Sequence, residues 1–138
     1  MNTQGPRCVL LADRHHRLME GVRGLLETVF EVVVMVADET SLSEAAERLR
    51  APLVIVDFSL APGTGLDLVR RLRGRFPALK LIVIGVHDDA RICQLVIDAG
   101  ASAYVLKREI ATELLAAVEA VLVGKPYTSA QILPEVRH

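Results

Sequence analysis

Apolar residues in this 138-residue chain follow two patterns that take turns from one end to the other. Short runs dominated by apolar residues stand at 8–12, 31–37 (opening on Glu31), 53–56, 79–86 (interrupted by Lys80) and 103–106. Such runs, rich in Val, Ile and Leu, read as strands buried on both faces, although periodicity alone leaves a buried helix open. Between them the apolar positions recur every three or four residues. Leu18, Val22, Leu25, Leu26 and Val29 lie on one face of a helix starting near His15. Ser41 and Glu44 match a capping box ahead of Leu42, Ala45, Ala46 and Leu49. Thr64 with Asp67 can cap a third helix carrying Leu66, Val69 and Leu72, which Gly74 and Pro77 end. Asp88 can cap a fourth through Ile92, Leu95, Val96 and Ala99. The fifth runs from about Thr112 to Val123, where Gly124 and Pro126 stop it.

Five strands and five helices in strict alternation predict an α/β fold, a doubly wound parallel sheet with helices on both faces. The pattern does not give the strand order. In the flavodoxin-like order 2-1-3-4-5, the switch point lies between the first and third strands, and ligands bind there at the carboxyl ends. Both of those strands lead into a carboxylate: Ala12 is followed by Asp13 and Val56 by Asp57. The loop signal Pro62, Gly63, Thr64, Gly65 keeps Asp57 at the strand's end. The fifth strand leads into Lys107.

Composition narrows the function. Hydrophobic residues make up 51% and charged ones 24%, the balance of a single globular domain. A net charge of -1 argues against a nucleic-acid surface in this segment. Arg70, Arg71, Arg73 and Arg75, with no aromatics between them, read as a solvated helix face. Cys8 and Cys93 lack metal or redox spacing, no signal sequence precedes the first strand, and no apolar run is long enough to span a bilayer, so a cytoplasmic location without membrane contact is expected. His15, His16 and His87 with Asp88 have no transition-metal spacing, and residues 87–89 read as a loop and helix cap. Phosphate loops, dinucleotide fingerprints and nucleophile elbows are missing, so no enzyme is expected.

Asp13, Arg14, Asp57 and Lys107 nevertheless converge on one end of the sheet. A carboxylate nucleophile, oxygen ligands for Mg2+ and a lysine for phosphoryl charge are the parts that phosphoryl transfer to aspartate requires. The segments 9–13, 57–66, 81–89 and 99–107 together resemble the receiver domain of bacterial two-component response regulators, most like the NarL/FixJ group. The resemblance implies a CheY-like (βα)5 fold over residues 7–124, with 125–138 a linker, short helix or tail. It implies Asp57 as phosphoacceptor, Lys107 as phosphate contact, Tyr104 as the aromatic of the switch surface, and Asp13, Asp57 and the Ser59 carbonyl as Mg2+ ligands. It also implies a histidine kinase or other phosphodonor as partner, self-association, and DNA contact only through a C-terminal domain beyond this chain.

Two positions depart from that family. Arg14 stands where a second acidic residue contacts Mg2+, and Gly85 stands where a Ser or Thr hydroxyl follows the phosphoryl group. With Arg14 inward beside Asp57, each charge pair at about 4 Å and an effective dielectric of about 20 is worth about 4 kcal/mol before desolvation, enough to weaken Mg2+ severely. An Arg14 turned to water would instead leave Asp13 to recruit a weak ion. The expectation is a regulatory domain of a transcription factor whose Mg2+ and phosphate switch is impaired. The alternative is a phosphorylation-independent module that binds a protein or small ligand, or dimerises.

Overall fold

The computed structural model describes residues 8–129, the His16 side chain excepted. The expected lead-in at residues 1–6 and the tail at 130–138 lie outside them. In chain order the elements are β1 (Cys8–Ala12), α1 (His16–Leu26), β2 (Val32–Val36), α2 (Glu39–Leu49), β3 (Leu53–Asp57), α3 (Gly65–Arg75), β4 (Lys80–Gly85), α4 (Ala90–Ala99), β5 (Ala103–Leu106), α5 (Ile110–Leu122) and β6 (Tyr127–Thr128). All strand pairs are parallel, and the order is 2-1-3-4-5 with β6 added outside β5.

The strands' side chains alternate between two cores. Leu10, Ala12, Val54, Val56, Leu81, Val83, Tyr104 and Leu106 pack under α2, α3 and α4. Val9, Leu11, Leu53, Ile55, Ile82, Ile84, Ala103 and Val105 pack under α1 and α5. Each fully buried aliphatic side chain contributes about 1.5–3 kcal/mol, so β1, β3 and β4 at the centre form a rigid platform.

Several elements differ from the sequence reading. Helix α2 starts at Glu39, because Asp38 rather than Ser41 is the cap and its Oδ1 accepts the Ser41 N–H at 2.7 Å. Asp89, not Asp88, caps α4. Helix α5 begins at Ile110 after a 3-10 turn over Lys107–Glu109, and Ile110 stands at the helix start because its side chain is buried. Thr64 caps α3 as expected. The inward stripe of α1 is Met19, Val22 and Leu26, while Leu18 and Val29 face out, 42% and 45% exposed.

The arginines of α3 are not simply solvated. Arg71 makes a bidentate pair with Glu39, and Arg75 pairs with Glu47, tying α3 to α2. Arg73 donates to the carbonyls of Gly100, Phe76 and Pro77, closing the end of α4 against α3. Gly100 has φ +127 and its Cα lies so close to Arg73 that an added Cβ would sit 2.8 Å from the Arg73 Cβ and Cγ, so only glycine fits.

Residues 125–129, at the start of the stretch expected as a linker, tethered short helix or tail, dock against the sheet and α5. Ser129 Oγ accepts the Leu106 N–H at 2.8 Å, and the Tyr127 hydroxyl donates to Glu113 on α5 at 3.2 Å. The pairing satisfies the outer edge of β5, which would otherwise stand unpaired.

Candidate functional site

Asp13 follows β1, Asp57 closes β3 and Lys107 follows β5. Residues 9, 11 and 13 share a sheet face, as do 53, 55 and 57, and 103, 105 and 107. The register pairs Ala12 with Val56, which brings the two carboxylates side by side at the carboxyl end. The central strands thus deliver three charged groups to one place without a flexible loop between them.

Their geometry is close. Lys107 Nζ lies 3.3 Å from Asp13 Oδ2 and 3.3 Å from Asp57 Oδ1. Asp13 and Asp57 side chains are 1% and 3% exposed, and the lysine 15%. Two buried carboxylates at this distance repel, and the ammonium between them offsets that repulsion. Asp13 Oδ1 accepts the backbone N–H of His15 at 2.7 Å, an Asx-type turn, and lies 2.9 Å from His15 Nδ1. A carboxylate only accepts, so Nδ1 carries the proton in this contact. Lys107 Nζ is also 3.4 Å from Nδ1. One ligand atom from each of Asp13, His15 and Asp57 lies within 4.8 Å of the others. Asp13 Oδ2 is buried and accepts no hydrogen bond among the described residues.

Arg14 is not part of this cluster. Its side chain is exposed and has no ion pair or hydrogen bond among the described residues, so the expected pair with Asp57 is not formed. The reason is local: the turn closed by the Asp13 carboxylate on the His15 N–H keeps Asp13 buried and the 57% exposed His15 ring against it, and leaves residue 14 at the outer corner. The site's formal charge is therefore -1, from two carboxylates and one ammonium, not the zero expected with Arg14 inside.

Two further groups escaped the sequence reading. Ser59 Oγ donates to Asp57 Oδ2 at 2.6 Å, so the Ser59 hydroxyl orients the carboxylate. His15 was set aside for want of ligand spacing, yet Asp-x-His at a strand end is the Asx-turn spacing that folds the ring back on the carboxylate.

On the other sheet face, Gly85 and Tyr104 are locked together. Tyr104 is wholly buried. Its hydroxyl donates to the His87 carbonyl at 2.7 Å and accepts the His87 N–H at 3.2 Å. Burial pushes the phenol pKa up to about 12. A Cβ on Gly85 would collide with the Tyr104 hydroxyl and stand 2.9 Å from ring atoms Cε1 and Cζ. The ring occupies the space that any side chain at position 85 would need.

The response regulator receiver domain family matches residues 9–119. The chain belongs to that family. This receiver is 33% identical over 132 residues to the transcriptional regulatory protein DegU of Brevibacillus brevis, covering 94% of this chain and 54% of the relative. A structure of the RcsB response regulator of Salmonella typhimurium, described for its conformational dynamism in DNA interaction, superposes with TM-score 0.84 at 30% identity, covering 94% of this chain and 66% of that one. A LuxR-family two-component response regulator from Aurantimonas sp. SI85-9A1 gives TM-score 0.85 at 27% identity, covering 94% and 93%. This receiver spans about half the length of the DegU relative. DegU and RcsB are both named transcriptional regulatory proteins.

Receiver domains bind Mg2+ at an acidic site, and in this receiver Asp13, His15 and Asp57 form a close group. The orphaned Asp13 Oδ2 and the two buried carboxylates fit a divalent cation. Among the described residues no helix is long and apolar enough to cross a membrane.

Proposed function

We propose that this receiver is the regulatory part of a transcription factor in a two-component system, with Asp57 as phosphoacceptor and a switch that is impaired. Asp57 carries the reading: it is a buried carboxylate at a strand end, oriented by Ser59 and held 3.3 Å from Lys107. In the reaction an Asp57 oxygen attacks phosphorus, the donor's bond to phosphorus breaks, and Lys107 balances the charge of the transferred group. Asp13, Asp57 and the Ser59 carbonyl would hold Mg2+, which supplies charge neutralisation at the phosphoryl oxygens when bound.

Impairment follows from what surrounds Asp57. With Arg14 in place of an acid and turned outward, the metal site has one carboxylate fewer, and Lys107 already bridges the two that remain. Gly85 has no hydroxyl to offer a phosphoryl oxygen. Tyr104 sits inward with its hydroxyl satisfied by His87, so nothing at Asp57 is needed to seat it. One conformation of the receiver is favoured without phosphate.

A histidine kinase or another phosphodonor is the partner this reading requires, in the cytoplasm, and DNA contact belongs to a domain outside residues 8–129. Self-association is part of the reading, which the individually exposed Leu18 on α1 and Val29 and Val123 just beyond α1 and α5 support. Residues 7–124 form the regulatory unit, with 125–129 docked on its sheet edge. Incubation with a small phosphodonor and Mg2+, followed by intact mass with Asp57→Asn as control, tests the proposal. Substoichiometric phosphorylation confined to Asp57 is expected. Full occupancy would overturn the impaired switch, and label surviving in Asp57→Asn would overturn the phosphoacceptor.

A further inference from the structure

Helices α1 and α5 cover the same face of the sheet, but a cavity of about 500 Å3 stays open between them. That is within the range of about 300–1,000 Å3 in which proteins hold small molecules. Its walls are largely apolar, with Leu18, Val22 and Leu25 of α1 facing Ile110 and Ala111 of α5. The backbone of α1 is bare there as well. Gly21 lines the cavity from the middle of the helix, where glycine is the weakest choice short of proline. A Cβ added at Gly21 would meet nothing within 4 Å, so no contact among the described residues demands a glycine. The space it leaves is open to an occupant.

The charged part of the wall has one sign: Lys107 and Arg108 line the cavity and no acid does. Lys107 is held by Asp13 and Asp57. Arg108 is held lightly, by a single contact of 3.3 Å with Asp88 between side chains 53% and 36% exposed, a kind of pair that contributes little in water. Its other N–H groups have no hydrogen-bond partner among the described residues. The neighbouring Glu109 lies outside the wall and accepts from the Thr112 hydroxyl.

We propose that this cavity binds a small anionic amphiphile, a medium-chain alkyl carboxylate, with the alkyl chain laid over Gly21 between Leu18, Val22 and Ile110 and the carboxylate on the Arg108 guanidinium. The planar guanidinium matches a carboxylate with two parallel hydrogen bonds, which the single contact to Asp88 does not use. A lightly held cation at the end of a concave apolar wall suits a ligand with one charge at the end of one chain. A second copy of this receiver would meet the exposed Arg17, Glu20 and Arg23 around the opening before reaching the wall. Lys107 stands between the cavity and the Asp57 crevice, and binding of the carboxylate requires no phosphoryl transfer.

NMR titration of the full chain with octanoate below its micellar range, without phosphodonor, tests the site, with octylammonium and octanol as charge controls. Resonances of Leu18, Leu25 and Ala111 should shift with octanoate, and affinity should rise about threefold per methylene from hexanoate to octanoate. Octylammonium should bind at least about tenfold more weakly than octanoate. Arg108→Gln should lower octanoate affinity about tenfold and leave octanol affinity within about twofold, a split that misfolding would not produce. Gly21→Leu should abolish octanoate binding while the Tyr104 ring resonances keep their native positions. No binding of octanoate, equal affinity for octylammonium, octanoate affinity indifferent to either substitution, or shifts confined to Asp13 and Asp57 would each overturn the site. So would Leu18 and Leu25 resonances that follow protein concentration and not octanoate, which would make a second copy the occupant.

Discussion

Gly85 and Tyr104 are in contact, and the Tyr104 hydroxyl is bonded to the main chain of His87. Because a Cβ at position 85 would stand 2.9 Å from ring carbons of Tyr104, Gly85→Ala should cost about 1–3 kcal/mol in denaturant unfolding. In a Tyr104→Leu background the same change should cost less by about 1 kcal/mol, and additivity of the two would show that the ring is not the obstacle. The Tyr104 phenol also gives a pH signature. Its folded pKa, about 12, is above the ordinary value of 10.0, so the fold binds a proton that the unfolded chain releases. That contribution to stability is complete below pH 10 and is lost as pH rises towards 12. Tyrosinate absorbance should therefore lag in the native protein, and Tyr104→Phe should flatten the fall in stability over that window. Asp13, Asp57 and Lys107 were legible as residues because each ends an apolar run. The direction of Arg14 was not, since it depends on an Asx turn that keeps Asp13 buried and leaves residue 14 at the outer corner. His15 was missed for the same reason: its partner is two residues away in a turn, not one helical turn along.

At the scale of elements, hydrophobic period located every strand and helix of the alternating core, and errors gathered where capping chemistry decides. Asp38 outcompetes Ser41 as the cap of α2 because its carboxylate reaches the Ser41 N–H, and Ile110 begins α5 because burial outweighs the lack of a polar cap. Helix α2 closes on Arg50, the non-glycine residue with positive φ, 50°, among the described residues. The left-handed conformation costs arginine about 1 kcal/mol that glycine does not incur, so Arg50→Gly should raise the melting temperature by a few degrees in calorimetry. A drop would show that the Arg50 side chain contributes more than its backbone costs. Strand β6 gave no signal in advance, since two residues carry no period and Tyr127–Thr128 is defined only by its place beside β5.

For the whole molecule, a sheet ordered 2-1-3-4-5-6 brings residues 13, 57 and 107 from distant parts of the chain to one crevice on one face, while Gly85 and Tyr104 meet on the other. In a working switch these two faces would have to communicate through position 85. In the impaired switch proposed here, position 85 has no side chain to carry that communication, and the Tyr104 hydroxyl is bonded to His87 main-chain atoms while its ring packs in the core. In the proposed impaired switch, the seat of Tyr104 is independent of what happens at Asp57. The most direct measurement is the NMR ring spectrum of Tyr104 recorded with and without saturating phosphodonor and Mg2+. Ring resonances that stay in place are expected; resonances that move in step with phosphorylation of Asp57 would contradict the impaired switch.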